Sequence, residues 1–254
     1  MWTQSRYRLE TDIRRGGGGL FKAQEGINTE AIVIWRKKHK NYSTFTLMTK
    51  KEGLIACAIP HRRLINLKGA GYLQAFNAIQ ATLKPAPEDN FSLDQVDGIY
   101  AIQGMTDDFD TIAYAAVAGE LIMSILPKYQ VDLTSYRLIS LFSQCIRHKS
   151  IRLATIILGW QLLMLGGFIP SGKALKNPHE DSQEFWQELA MDLGRPISNQ
   201  FREILVQILS YAWKEDSVLN LTRQDWQALE KTLYAYAGIR LEKDLKSINF
   251  LQIF

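Results

Sequence analysis

Residues 29–60 read TEAIVIWRKKHKNYSTFTLMTKKEGLIACAIP, three apolar runs separated by two basic breaks. The runs at 30–35, 42–49 and 53–59 are rich in Ile, Val, Thr, Phe and Tyr and have the length of strands. KKEG at 50–53 is a turn signature, and Pro60 ends the third run. Further along, residues 72–83 alternate apolar with other residues and predict a fourth strand. Pro85-Ala86-Pro87 breaks the chain, and 91–102 predict a fifth strand. Five short strands in about seventy-five residues point to a small antiparallel barrel, and the OB-fold is the five-stranded barrel suited to oligonucleotides.

After Gly104 the apolar period changes from two to that of a helix. Asp107, Asp108 and Asp110 suit a helix N-terminus, and Pro127 stops that helix after Leu126. Further helices are predicted near 134–147, 151–165, 182–193, 198–213 and 222–237. The expected fold is α+β: an N-terminal five-stranded OB-fold β-barrel followed by a C-terminal all-α helical domain. Residues 1–28 read as a flexible N-terminal extension, because RRGGGG at 14–19 breaks it and little before is periodic. Residues 29–104 form the barrel and 105–254 the helical domain.

Charge is distributed unevenly. Residues 29–84 hold ten Lys and Arg against two acids, Glu30 and Glu52, whereas 85–254 hold fifteen bases against twenty-one acids. A basic block beside an acidic remainder is expected of a polyanion-binding module joined to something else. Arg36, Lys37, Lys38, Lys40, Lys50, Lys51, Arg62, Arg63 and Lys68 fall mostly at predicted loops. Trp35, Tyr42, Phe45, Tyr72 and Phe76 are interleaved with them. Phosphates need cations spaced along a groove and bases need flat faces, so the block predicts nucleic-acid binding, with Tyr42 added to those nine cations. Phe45 and Phe76 are assigned to the core. No base-reading motif is evident, so binding is expected to be independent of sequence.

Other chemistries find little support. Cys57 and Cys145 sit in apolar patterns and read as buried thiols in a reducing compartment. No apolar leader follows the first arginines. Residues 153–172 carry no charge, but their glycines and Pro170 leave about a dozen apolar residues, too few to span a bilayer. A central core helix, with no membrane contact, is expected there. GFIPSGK at 167–173 matches a phosphate-loop pattern, yet Ala174 stands where Ser or Thr is needed, and a helix precedes it. His39, His61, His148 and His179 form no metal-spaced pair, and no catalytic constellation or cofactor is expected.

From Thr29 onward the chain resembles the RecO family of bacterial recombination mediators. TEAIVI at 29–34 resembles the family's opening strand, and TLMT at 46–49 followed by EGLI at 52–55 its second strand, turn and third strand. His61-Arg62-Arg63 stands where the family has a Gly-Ala-Arg-Arg-like run. LQAFN at 73–77 resembles a Leu-Gln-Pro-Phe opening, with Ala75 in place of Pro. IAYA at 112–115 through Glu120-Leu121 resembles the first helix after the barrel. LLMLGGFIP at 162–170 resembles the Leu-Gly-Tyr-x-Pro helix end, and LKS at 245–247 the C-terminal Leu-Lys-Ser.

The resemblance implies a non-enzymatic DNA repair protein whose barrel binds single- and double-stranded DNA. It implies annealing of complementary strands, contacts of the helical domain with RecR and with the acidic tail of single-strand-binding protein, and assistance to RecA. It also implies a cytoplasmic, nucleoid-associated protein of a bacterium. Only Arg62 and Arg63 sit on a family motif. The zinc cysteines of some members are missing from 171–181, so no metal is expected, and 1–28 have no counterpart. The family's arginine before the Leu-Leu helix is also missing, and Arg147, His148, Lys149 and Arg152 are offered in its place for partner binding. The competing expectation is an OB-fold RNA-binding module with a helical interaction domain.

Overall fold

The computed structural model describes residues 26–86, 90–104, 108–176, 180–214 and 216–251. The expected flexible segment and RRGGGG, up to residue 25, lie outside the described residues, as do Pro87, Asp107 and His179. Five strands form a closed barrel: β1 (Ile27–Lys38), β2 (Tyr42–Thr49), β3 (Gly53–Pro60), β4 (Ala78–Ala86) and β5 (Asn90–Tyr100). Their order around the barrel is β1-β2-β3-β5-β4. Neighbours are antiparallel except β3 and β5, which meet in parallel at Cys57 and Phe91. The ladder is strongly staggered. Ile27 faces Leu83, Leu83 faces Leu93, Ile59 faces Ser43 and Ser43 faces Lys38, so one circuit returns to β1 eleven residues further along. Such shear tilts the strands and closes a small sheet without free edges.

Alternation along the strands explains where the cores lie. Ala31, Val33, Phe45, Leu47, Ile55, Cys57, Ile79 and Leu93 fill the barrel interior. Ile32, Ile34, Met48, Leu54, Phe76 and Ala78 belong instead to a second core shared with the helices. Both faces of β1 are therefore apolar through Ile34, as strands buried on two sides must be. Phe45 and Phe76 are core residues, as expected.

Several boundaries differ from expectation. β1 begins at Ile27, inside the segment read as an extension, because Ile27 and Asn28 pair with Leu83 and Thr82. The fourth strand begins at Ala78, not at Tyr72. Residues 70–72 form a 3-10 turn, and Phe76 has φ 62°. Asn77 holds this reversal: its amide donates to the Tyr72 carbonyl and its oxygen accepts from the Ile102 N–H. Pro85 does not break β4, which continues to Ala86 opposite Asn90.

The helices are α1 (His61–Asn66), α2 (Phe109–Ile125), α3 (Leu133–Cys145), α4 (Ile151–Leu165), α5 (Gly172–Lys176), α6 (Glu180–Asp192), α7 (Asn199–Leu209) and α8 (Arg223–Arg240). Short α1 and α5 were not anticipated. Asp108, Asp132, Ser198 and Thr222 cap α2, α3, α7 and α8, and Asp225 completes a capping box. α4 is the central helix, buried from Ala154 to Leu163. Gly159 permits its close approach to Leu233 of α8 and Leu121 of α2, since a Cβ there meets a Leu233 methyl at 2.6 Å. No helix among the described residues is long and apolar enough to cross a membrane.

Barrel and helices are tied by hydrogen bonds as well as by apolar packing. Ser143 donates to the Phe76 carbonyl and accepts from the Tyr100 hydroxyl. Tyr136 donates to Glu30 at 3.2 Å, and the Tyr129 N–H to the Leu54 carbonyl at 3.0 Å.

Candidate nucleic-acid interface

The opening basic run is a strand pair and its tip. Arg36 faces Phe45, Lys37 faces Thr44 and Lys38 faces Ser43 across β1 and β2. These three cations therefore lie within a strand, correcting the loop assignment, and Lys40 is in the connection. A bulge between Val33 and Trp35 shifts the register there. Bulges add twist and re-aim side chains, and beyond this one β1 passes from buried to exposed residues. Pairing with β4 ends at Ile32, and Val33 exchanges backbone bonds with Phe76 and Asn77. From Trp35 onward the hairpin thus projects beyond β4.

All four cations are exposed, and among the described residues none has an acidic partner. Arg36 lies over the Phe45 ring, 5.4 Å from its centre. Tyr42 stacks on His39 with centroids 4.4 Å apart, and His39 meets the Thr44 hydroxyl at 3.3 Å. These contacts fix the tip and leave Tyr42 exposed. Beside it the outer face of β2 and β3 carries Thr44 opposite Ala58 and Thr46 opposite Ala56. Small, uncharged side chains there let a flat ligand approach the sheet closely.

α1 follows at once. Pro60 faces Tyr42, and the His61 N–H donates to the Asn41 carbonyl at 3.0 Å. This places Arg62, exposed on the first turn of α1, at the hairpin end of the barrel. Arg63 behaves differently: it donates to Ser92 and to Asp94, each at 2.8 Å. Lys84 reaches the other Asp94 oxygen at 2.9 Å. The Lys84 hydrogen bond, with the charges of Lys84 and Arg63, holds the Asp94 carboxyl below the usual carboxylate range. Lys84 is the tenth base of the block, and nothing in its strand-like sequence surroundings marks it.

Lys50 and Lys51 are not part of this cluster. They follow the other end of β2, eight residues long, about 23 Å from the hairpin tip at the usual rise per strand residue. Lys50 is 3.4 Å from Glu30, whereas Lys51 is exposed. Lys68 is exposed after α1, where Gly69 turns back with φ 79° against the Val96 carbonyl. The structure therefore gathers Arg36, Lys37, Lys38, Lys40, Tyr42 and Arg62 at one end, pairs Arg63 and Lys84 on one acid, and sets Lys50 and Lys51 apart.

The cations offered for partner binding divide similarly. Arg147 lies 5.3 Å from the centre of the Tyr100 ring, and His148 is exposed. Lys149 donates to the Tyr211 hydroxyl and to the carbonyls of Lys214 and Ser217. Arg152 meets buried Glu230 at 2.5 Å, and the Tyr114 hydroxyl donates to the same carboxylate at 2.8 Å. Lys149 thus holds the turn after α3 to the connection between α7 and α8, and Arg152 ties α4 to α8.

The phosphate-loop pattern is accounted for by packing. Gly167, with φ 80°, ends α4, and Gly172 begins α5 against Ser210 and Leu209. Among the described residues no three His, Cys, Asp or Glu side chains are grouped to hold a metal. Cys57 is buried inside the barrel, and burial pushes its thiol up to about 12. No protein-family model matches the chain, and no curated protein was found similar to it.

Proposed function

We propose that the barrel is an OB-fold and that the chain binds nucleic acid without sequence preference, as a recombination mediator of the RecO kind. The strand order and the stagger of the closed sheet support the OB assignment. The observation that carries the binding function is the projecting hairpin: Arg36, Lys37, Lys38 and Lys40 without acidic partners among the described residues, beside exposed Tyr42 and the small outer face of β2 and β3. Cations at spaced positions neutralise successive phosphates, and the flat neutral surface between them accepts bases. On this reading the action is binding and strand pairing, carried by the cations and the flat neutral surface.

On this reading the helices receive protein partners, namely RecR and the acidic tail of single-strand-binding protein. Arg147 and His148, exposed on the turn between α3 and α4, are the side chains left for an acidic peptide there. The test is annealing of complementary oligonucleotides coated with single-strand-binding protein, with and without its acidic tail. Annealing that depends on the tail and is lost on replacing Lys37, Lys38 and Lys40 by Ala bears the proposal out. A clear preference for RNA over DNA of matched sequence favours the RNA-binding module instead.

A further inference from the structure

We infer that the cleft between the projecting edge of β1 and helix α2 is a pocket for one unstacked nucleobase. The inference rests on the nucleic-acid reading and names a subsite of it. The cleft has a volume of about 280 Å³ and is lined by Trp35, Arg36, Leu73, Gln74, Ala75 and Ala116, among others. Its walls are mainly apolar, with few polar groups, the pattern of sites for planar ligands.

Three features suit a base rather than a peptide side chain. The first is a preorganised aromatic wall. Trp35 is half-buried and lies so close to α2 that a Cβ on Gly119 meets its ring at 3.2 Å. Gly119 therefore lets the indole pack closely against α2 at the edge of the cleft. The second is the polar rim. The Gln74 amide is exposed, and neither it nor the Arg36 guanidinium has a hydrogen-bond partner among the described residues. An amide presents a donor beside an acceptor, the complement of a base edge. The third is charge. The cleft opens at Arg36, the first cation of the hairpin, so a strand whose phosphates lie along Lys37, Lys38 and Lys40 brings its next base to Trp35. The cations select a polyanion over an uncharged peptide.

The test uses the full chain with Ala116→Leu. Ala116 is half-buried on α2 and lines the cleft, and leucine fills it while retaining helix propensity and every cation. Affinity is measured for a single-stranded oligothymidylate, the same oligomer with abasic residues, and a blunt duplex. The expected result is about a tenfold loss for the single strand, the loss of one base stack. Duplex binding is unchanged, and the variant no longer distinguishes abasic from intact strands. Photocrosslinking with 5-iodouracil oligomers is expected to label the peptide containing Trp35 in the parent chain and not in the variant. Equal losses for single strand and duplex, unchanged affinity for all three, or crosslinks only elsewhere overturn the pocket while leaving hairpin binding intact. A parent chain that binds none of the oligomers overturns the nucleic-acid reading and the pocket together.

Discussion

Arg63 and Asp94 meet at 2.8 Å, joining the first turns of α1 to β5, and Lys84 holds the second carboxylate oxygen. One acid thus neutralises two cations of the basic block. If the proposed function holds, Asp94→Asn releases both and raises DNA affinity about threefold at low salt, with the salt dependence steepened by about one phosphate contact. Fluorescence anisotropy across a salt series checks this. Weaker binding in the variant means that Asp94 orients Arg63 toward the ligand.

The two ends of β2 are expected to contribute unequally. Replacing Lys37, Lys38 and Lys40 by Ala removes about three phosphate contacts and lowers the single-strand salt slope by about two. Replacing Lys50 and Lys51 by Ala is expected to lower it by less than one, since Lys50 faces Glu30. Equal slopes for the two variants point to a ligand path along the full length of β2.

Gly53 is expected to resist substitution. Its φ is 71°, and a Cβ there falls 2.0 Å from the Gln130 carbonyl oxygen, in the connection between α2 and α3. Gly53→Ala combines left-handed strain with a backbone clash, and a loss of about 3 kcal/mol is expected in urea unfolding. The contrast is Gly71→Ala, where a Cβ meets nothing within 4 Å, and little change is expected.

Stability is expected to fall in alkali through Cys57. Burial raises its thiol from 9.0 to about 12. Between these values the unfolded chain has lost a proton that the folded chain keeps, so stability is full below pH 9 and declines as pH rises towards 12. Tyr114, Tyr136 and Tyr234 are also raised, chiefly by burial, and extend the decline. Cys57→Ala is expected to flatten the curve between pH 9 and 11, read from unfolding midpoints at each pH. An unchanged slope places the alkaline loss elsewhere.

Much of the barrel is legible in residues 29–60, because β-branched runs bounded by KKEG and Pro60 have one economical reading. The start of β4 is not legible. Residues 72–77 alternate like a strand, but Phe76 adopts a positive φ to reach Val33, and the Asn77 side chain holds the reversal. Those contacts involve residues distant in sequence. The charge block locates the basic surface but not its division: Asp94 lies outside the block and claims Arg63, and the bulge that projects Arg36 to Lys38 leaves no mark in composition. Trp35 is named by its neighbours, yet its place against Gly119 depends on the docking of α2.

The double-sided burial of β1 bears on how the molecule can be taken apart. Ile32 and Ile34 press against helices while Ala31 and Val33 point into the barrel. A fragment cut after Gly104 bares a strip of aliphatic side chains and is prone to self-association, so separating the proposed nucleic-acid and partner contacts calls for point variants in the intact chain. The same seam makes a single cooperative melting transition the natural expectation.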